Sequence, residues 1–242
     1  MTTKRHKIKI SGIPVEIVRK NIKNLHVGVY PPNGRVRVAA PLRLDHEAVR
    51  LAVVSRLGWI RRQKKEFEKQ VRQSKREMVS GESHYYQGRR YLLDVIELDV
   101  PPSVHIKNNS TIELRIRPGK DRDFREAVLL RWYRHRLREE LPKLLSKWEQ
   151  KVGVDVAEVR IKKMKTRWGT CTREARRIWL NLELAKKPLS CLEYILVHEM
   201  IHFLERHHND RFRALIDEMM PQWRLYREEL NRSPLSHDEW KY

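Results

Sequence analysis

The spacing of apolar residues divides the chain into two similar blocks and a third section. In the first block, the segments VEIVRK, LHVGV and RVRVAAP read as short strands, and a helix follows from about residue 45 to residue 69. The second block repeats this order with RRYLLDVIEL, SVHIK and TIELRIRPG, followed by a long helix from about residue 123 to residue 150. The openings of the two helices, PLRLDHEAV and DRDFREAV, are also alike. The pattern indicates a duplicated unit of strands followed by a helix.

The third section begins near Val154 and contains a strongly apolar helix. The segments VAEVRIKKM and RIWLNLEL alternate apolar and polar positions, which predicts two half-buried strands paired as a hairpin. The next segment, SCLE, has the form of a capping box in which Ser190 caps a helix and Glu193 reaches back. Because this helix is apolar on nearly every side, we expect it to lie in the core.

These patterns predict an α+β fold. The two β-rich blocks cover about residues 1–72 and 83–150, each with its helix, and the polar segment VRQSKREMVSGES between them predicts a linker. The third section adds the hairpin and the apolar helix. We therefore place an N-terminal α+β region at residues 1–152 and a C-terminal domain at residues 153–242.

The apolar helix carries groups that are costly to bury, in the segment VHEMIHFLERHH. His198 and His202 are four residues apart, so both imidazoles project from one helix face at a spacing that chelates zinc. Glu199 is rotated away from direct ligation but can reach a water molecule at such a site. The pattern predicts a hydrolytic zinc centre with Glu199 as the general base.

A third ligand is predicted at His208, ten residues after His198. This is the interval of the third histidine in enzymes with the pattern H-E-x-x-H-x-x-G-x-x-H. The helix has to end after about Glu205 for His208 to face the site. Because the glycine that usually permits this turn is missing, His207 and Glu218 remain alternative ligands.

The net charge of +21 is the largest departure from an average composition. Residues 56–76 and 115–138 each contain nine lysines and arginines, against two and three acidic residues. Such basic stripes attract polyanions, of which nucleic acid is the commonest, although they also occur as plain solvated helix faces. The residues that we assign to nonspecific nucleic-acid binding are Arg61, Arg62, Lys64 and Lys65, and Arg131, Arg134, Arg136 and Arg138.

The remaining composition excludes several classes of protein. With 40% hydrophobic and 34% charged residues, the chain is typical of a globular protein rather than a disordered one. The longest apolar runs, such as LAVV and YILV, are too short to cross a membrane, and the N-terminus lacks the apolar stretch of a secretory signal. We therefore expect a cytoplasmic protein without a membrane partner. Cys171 and Cys191 have no metal-type spacing and are expected to be free thiols.

Four segments of the third section resemble the YgjP-like zinc metallopeptidases, which are relatives of the SprT-like proteases. These segments are MKTRWGTC, IWLNLELAKKP, YILVHEMIHFLERHHNDRF and MPQW. The family signature has the order M-K-x-R-W-G-S-C, L-N, H-E-L-x-H and N-H-x-x-x-F-W. The resemblance implies a zincin-like metallopeptidase domain, a protein or peptide substrate, and one Zn²⁺ per chain held by His198, His202 and His208, with Glu199 as the catalytic glutamate.

The sequence departs from the family signature at three positions. Thr170 replaces the usual serine, His207 replaces asparagine, and Arg213 replaces tryptophan. No ligand position is affected, but the rim of the site is.

Other residues of the third section have two interpretations. Arg167 and Trp168 in the segment RWGTC, together with Asn181, are candidates for substrate binding, and Arg167 suits a carboxylate. The same segment can instead lock the sheet against the helix, and we favour this structural role. The strand from Trp179 to Leu184, if it is an edge strand, would hold an extended peptide by strand addition.

Taken together, these patterns predict a zinc-dependent peptidase, with nucleic-acid-associated proteins as one class of substrate. The alternatives are a basic nucleic-acid-binding protein with a structural zinc and a zinc hydrolase that acts on another bond. The structural alternative leaves Glu199 without a role. The oligomeric state is not specified by the sequence.

Overall fold

A computed structural model of the chain describes residues 5–30, 34–69, 76–164 and 167–232. These residues form two compact units, one within residues 5–69 and one within residues 76–232. Within the described ranges, no helix combines the length and the apolar character that a membrane span needs.

The first unit is a four-stranded sheet with two helices. Its strands are β1 (Arg5–Ile10), β2 (Ile13–Lys20), β3 (His26–Tyr30) and β4 (Arg35–Pro41), and its helices are α1 (His46–Val54) and α2 (Leu57–Lys69). The strand order is β1-β2-β4-β3, with β2 and β4 parallel and both outer pairs antiparallel. Alternate residues of the central strands, such as Ile17 and Val38, are buried in one core with Val53 and Ile60 of the helices.

The second unit begins with a sheet of the same topology. Its strands are β5 (Ser83–Tyr86), β6 (Arg89–Glu97), β7 (Ser103–Asn108) and β8 (Thr111–Ile116), in the order β5-β6-β8-β7 with a parallel central pair. Helix α3 (Arg122–Val152) follows, and Asp121 caps its first turn as Asp45 caps α1. The repeated strand order and cap agree with the duplication predicted from the sequence.

The rest of the second unit consists of a small sheet and three α-helices. Its elements are β9 (Glu158–Lys162), β10 (Gly169–Thr172), β11 (Arg177–Asn181), a 3₁₀-helix (Leu182–Lys186), α4 (Leu189–Leu204), α5 (Asp210–Met219) and α6 (Trp223–Arg232). The sheet order is β10-β11-β9. In this sheet, β10 is antiparallel and β9 is parallel to the central strand β11.

The predicted hairpin between β9 and β11 is wrong, because these strands run parallel. The long connection between them allows the chain to return, and it contains β10, which forms the hairpin with β11. The predicted strand also ends early, at Asn181, whose side chain accepts a hydrogen bond from the Glu183 N–H and starts the 3₁₀-helix. Strand β11 is therefore central, so it cannot serve as the edge strand that the sequence analysis assigned to Trp179–Leu184.

The predicted capping box at the start of α4 is also wrong. Pro188 occupies the N-cap position, and no side chain caps the helix. The Glu193 carboxylate instead accepts hydrogen bonds from Lys147 Nζ at 2.6 Å and from Trp148 Nε1 at 2.7 Å. Glu193 therefore ties α4 to α3 rather than to its own first turn.

Helix α4 lies in the core of the second unit, as its apolar sequence predicts. Leu196, Val197 and Met200 are fully buried, in a core that also contains Tyr133 of α3 and Leu93 of β6. The second block and the section with the histidines thus share one core. The compact units are divided between residues 69 and 76, whereas the sequence analysis placed a boundary after residue 152.

Candidate active site

Helix α4 and the turn after it hold the three histidines. His198 and His202 lie one turn apart on α4, which ends at Leu204 because Glu205 is extended, with φ −136° and ψ 120°. The predicted end of the helix near Glu205 is thereby confirmed. Asn209 then caps α5 by accepting a hydrogen bond from a backbone N–H of its first turn at 3.0 Å. His208 lies in the turn between the two helices.

The turn between α4 and α5 forms without glycine because the Glu205 carboxylate stabilises it. Glu205 Oε1 accepts a hydrogen bond from the His207 N–H at 3.1 Å, and the His207 carbonyl accepts one from the Asn209 N–H at 2.8 Å. None of residues 205–209 has a positive φ, so no position in the turn requires the conformational freedom of glycine. The turn therefore forms without the glycine of the pattern H-E-x-x-H-x-x-G-x-x-H.

The three imidazoles converge on one point. Each offers a nitrogen, and these nitrogens lie within 4.8 Å of one another. The Nε2 atoms of His198 and His208 are 3.0 Å apart, close to the separation of about 3.3 Å expected between two nitrogens on a tetrahedral zinc. Among the described residues, the group contains neither His207 nor Glu218, the two alternative ligands.

Backbone and aromatic contacts orient the imidazole rings. His202 Nδ1 lies 3.0 Å from the Glu205 carbonyl oxygen, so a proton on Nδ1 leaves Nε2 free as the ligand atom. Phe212 of α5 is 3% exposed and contacts all three rings, with centroid distances of 5.0 Å to His198 and 4.7 Å to His202 and His208. Phe212 is the apolar residue against which the three imidazole rings pack. This role was not predicted from the sequence, although the phenylalanine of N-H-x-x-x-F-W was the available signal.

Burial keeps the imidazoles of His198 and His202 neutral. It lowers the pKa of His198 to about 3 and also lowers the pKa of His202, with further lowering by the neighbouring imidazoles. Neutral imidazole is the form that binds metal ions. His198 Nδ1 is buried and has no hydrogen-bond partner in the part of the chain that the structure describes. The three-nitrogen donor set fits a divalent cation that prefers imidazole, such as zinc.

Glu199 is the buried carboxyl group of the site. Its residue is 6% exposed, and burial raises the pKa of the carboxyl to about 7, against the opposing effects of the Cys171 thiol and the Arg167 charge. The Cys171 thiol lies within hydrogen-bonding reach of this carboxyl. A carboxyl with a near-neutral pKa can both accept and donate a proton at physiological pH.

Strand β10 passes so close to α4 that only glycine fits at the contact. A Cβ atom on Gly169 would lie 2.8 Å from Cγ and Oε1 of Glu199 and 2.8 Å from Cγ2 of Ile195. The backbone of Gly169 does not need a positive φ, so the glycine is required by the close approach alone. The glycine of RWGTC thereby sets the position of the Glu199 side chain.

The histidines and Glu199 line a cleft of about 700 Å³. The other residues that line it are Arg167, Gly169, Thr170, Cys171, Thr172, Arg173, Glu174 and Arg206. Strand β10 thus forms one side of the cleft. Among the described strands, β10 pairs with β11 alone, so its other edge is free.

Of the three predicted substrate-binding residues, only Arg167 lines the cleft. Asn181 is 5% exposed, and its amide donates to the carbonyls of Met164 and Arg167 at 2.9 and 2.8 Å. Its oxygen accepts from the N–H groups of Met164 and Glu183, both at 3.2 Å, so all four hydrogen-bonding positions are occupied. The half-buried Trp168 packs against the core. These contacts agree with the structural role that was favoured for Trp168 in the sequence analysis and indicate the same role for Asn181.

The residues assigned to nucleic-acid binding lie on two helices. Arg61, Arg62 and Lys65 are exposed on α2, and Arg131 and Arg138 are exposed on α3. Lys64 and Arg134 are half-buried. Arg136 is engaged within the second unit, because it donates to the Tyr86 hydroxyl at 3.1 Å and pairs with Glu139 at 2.7 Å.

A helix that presents two histidines and a buried glutamate, closed by a third histidine, defines a metal-dependent hydrolase. The family described as YgjP-like, metallopeptidase domain, matches residues 24–233. The chain therefore belongs to the YgjP-like family and is a metallopeptidase. No curated protein matches the chain. Among solved structures, it is similar to the metallopeptidase zymogen of Pyrococcus abyssi abylysin, with 19% identity over 39% of this chain and 98% of that chain and a TM-score of 0.35.

The ligand set leads to a prediction about metal content. Replacing His208 with alanine leaves two nitrogens, so His208→Ala should lose most of the metal that the wild-type protein retains after dialysis. Elemental analysis of the purified protein measures this. The matched control is His207→Ala, one residue away in the same turn, which should keep its metal. Full metal occupancy in His208→Ala would show that His208 is not a metal ligand.

The contact between β10 and α4 leads to a second prediction. In Gly169→Ala the new methyl group displaces the Glu199 side chain, so peptidase activity should fall by roughly a hundredfold while the metal stays bound. The measurement is kcat/KM together with metal content. Gly58→Ala on α2, where a Cβ would meet nothing closer than 3.9 Å, controls for a general effect of glycine replacement. Wild-type activity in Gly169→Ala would show that the close contact does not position Glu199.

Proposed function

We propose that the protein is a zinc-dependent peptidase with one Zn²⁺ per chain, in which Glu199 acts first as a general base and then as a general acid. The observation that carries this proposal is the convergence of three imidazoles beside a buried carboxyl in one open cleft. Three histidine nitrogens are a typical donor set of catalytic zinc, which keeps its fourth position for water or substrate.

Zinc at this position supplies a lowered pKa for water and polarisation of the scissile carbonyl group. His198, His202 and His208 would hold the ion through ring nitrogens, and Phe212 packs against all three rings. Glu199 accepts a proton from the attacking water molecule and returns it to the leaving amine as the peptide bond breaks. One water is consumed, and the carboxyl ends in the state in which it began.

The free edge of β10 offers a place for an extended peptide. A peptide that pairs with this edge would form main-chain hydrogen bonds without any requirement for particular side chains. Gly169 contacts Glu199, so the paired peptide would pass directly beside the proposed base. This gives β10 the role that the sequence analysis assigned to the strand after it.

Two alternatives have less support. A structural zinc is normally enclosed by four protein ligands, whereas the group found among the described residues has three and lines a cleft. A zinc hydrolase that acts on a different bond would share the same three histidines and Glu199. The free strand edge favours a peptide over a small molecule as substrate.

We further propose that the exposed basic residues of α2 and α3 bind nucleic acid nonspecifically and thereby bring associated proteins to the enzyme. The support is the net charge of +21 and the exposure of Arg61, Arg62, Lys65, Arg131 and Arg138. A cytoplasmic location remains a prediction from the sequence.

The role of Glu199 in proton transfer is tested by Glu199→Gln. This variant keeps the size of the side chain but cannot accept the proton, so kcat should fall by about a thousandfold with the metal content unchanged. Glu174→Gln makes the same substitution at an exposed position of the same cleft and should have a small effect. If Glu199→Gln cleaves peptides at the wild-type rate, the proposed mechanism is wrong.

The nucleic-acid proposal is tested by charge reversal on α2. Changing Arg61, Arg62 and Lys65 to glutamate should weaken binding to DNA or RNA, measured by fluorescence anisotropy, and leave hydrolysis of a free peptide intact. Wild-type affinity should fall by roughly tenfold or more between 50 and 200 mM salt. The control reverses Arg89, Arg90 and Lys143, three exposed residues outside the two stripes. An equal loss of affinity in both variants would show that the two stripes are solvated helix faces and not a nucleic-acid-binding surface.

A further inference from the structure

Three arginines border the cleft and have no part in the proposed hydrolysis. Arg167 lies just before β10, Arg173 lies just after it, and Arg206 lies in the turn after α4. All three are exposed and line the cleft that contains the histidines. Their guanidinium groups therefore lie where a peptide bound in the cleft can contact them.

These arginines have few partners within the protein. Arg173 donates one hydrogen bond to the Phe203 carbonyl at 3.0 Å, which anchors it at the end of α4. In the described part of the chain, the guanidinium groups of Arg167 and Arg206 form neither a hydrogen bond nor an ion pair. The acidic residues among those that line the cleft are Glu174, which is exposed, and Glu199, which is buried. The guanidinium groups thus remain available to a ligand.

The resulting field in the cleft is positive. Three arginines outweigh the one exposed carboxylate, and a divalent metal ion held by the histidines would add further positive charge. Guanidinium groups bind carboxylates through two parallel hydrogen bonds, and they repel lysine and arginine side chains. The cleft is therefore suited to acidic peptides.

The position of β10 gives the approximate sites of these contacts. Gly169 is the residue of β10 that lies next to Glu199. Arg167 lies two residues before Gly169, and Arg173 lies four residues after it. A peptide paired with β10 advances at the same rise per residue as the strand. Its side chains about two residues from the scissile bond on one side, and about four on the other, would therefore come near the two arginines.

We propose that the cleft selects peptide segments with aspartate or glutamate on both sides of the scissile bond, through Arg167, Arg173 and Arg206, and that it disfavours lysine and arginine there. This inference rests on the proposed peptidase function and on strand addition at β10. A nucleic-acid strand is the less suitable occupant. The cleft has a strand edge for a peptide backbone, and no phenylalanine, tyrosine or tryptophan is among the described residues that line it to stack a base.

Binding is measured on the zinc-loaded full-length Glu199→Gln variant, so that hydrolysis does not consume the ligand. The probes are three fluorescent peptides of one sequence that carry glutamate, glutamine or lysine at the two flanking positions. The glutamate peptide should bind roughly tenfold or more tightly than the lysine peptide at low salt, and the difference should shrink at high salt. Adding Arg167→Glu and Arg206→Glu should reverse the order. The control, Arg211→Glu, changes the charge at an exposed position outside the cleft and should keep the order.

The wild-type enzyme then cleaves a mixture of random peptides, and mass spectrometry maps the cleaved bonds. Enrichment of acidic residues at the flanking positions supports the inference. Cleavage without acidic preference, or equal affinity for the three peptides, overturns it. The inference is also overturned if Arg211→Glu loses the preference as completely as the cleft variants do. It is likewise overturned if a thymidine oligonucleotide competes with the peptides in a way that depends on the same arginines. If no peptide is cleaved, the proposed function fails, and the binding order still decides whether the cleft is an acidic-peptide site.

Discussion

Helix α4 is buried along most of its length and yet carries two imidazoles and a carboxyl group in its second half. Transfer of such groups from water into a protein interior costs several kcal/mol each when they are charged and unpaired. The structure avoids this cost by holding His198 and His202 neutral and by raising the pKa of Glu199 towards neutrality. The chemistry of the site thus follows from the burial of one helix.

The elements around α4 are arranged to preserve this environment. Strand β10 approaches the helix through Gly169, which leaves room for the Glu199 side chain. Asn181 holds the segment before β10 through four hydrogen bonds, and Glu193 fastens the other side of α4 to α3. On the far side, Phe212 of α5 supports the rings. A cleft lined by the histidines and Glu199 remains, with room for a substrate.

The sequence predicted the parts of this arrangement that depend on local periodicity. The histidine spacing, the end of α4 near Glu205 and the α+β class could be read from the chain because helix geometry fixes them. The strand pairing could not, because the choice between β9 and β10 as the hairpin partner of β11 depends on how a long connection folds back. Capping by Ser190 failed for a related reason. Glu193 bonds to Trp148 and Lys147, which are distant in sequence, instead of to its own helix end.

The central claim is an open centre of three histidine nitrogens beside Glu199. X-ray absorption spectroscopy of the zinc-loaded protein tests it most directly, because sulfur and nitrogen ligands scatter at different distances. An open centre of this kind should give four nitrogen or oxygen ligands at about 2.0–2.1 Å, three of them with the outer-shell signature of imidazole. A zinc–sulfur distance of about 2.3 Å, contributed by the nearby Cys171, would mean a centre closed by a fourth protein ligand and would contradict the account.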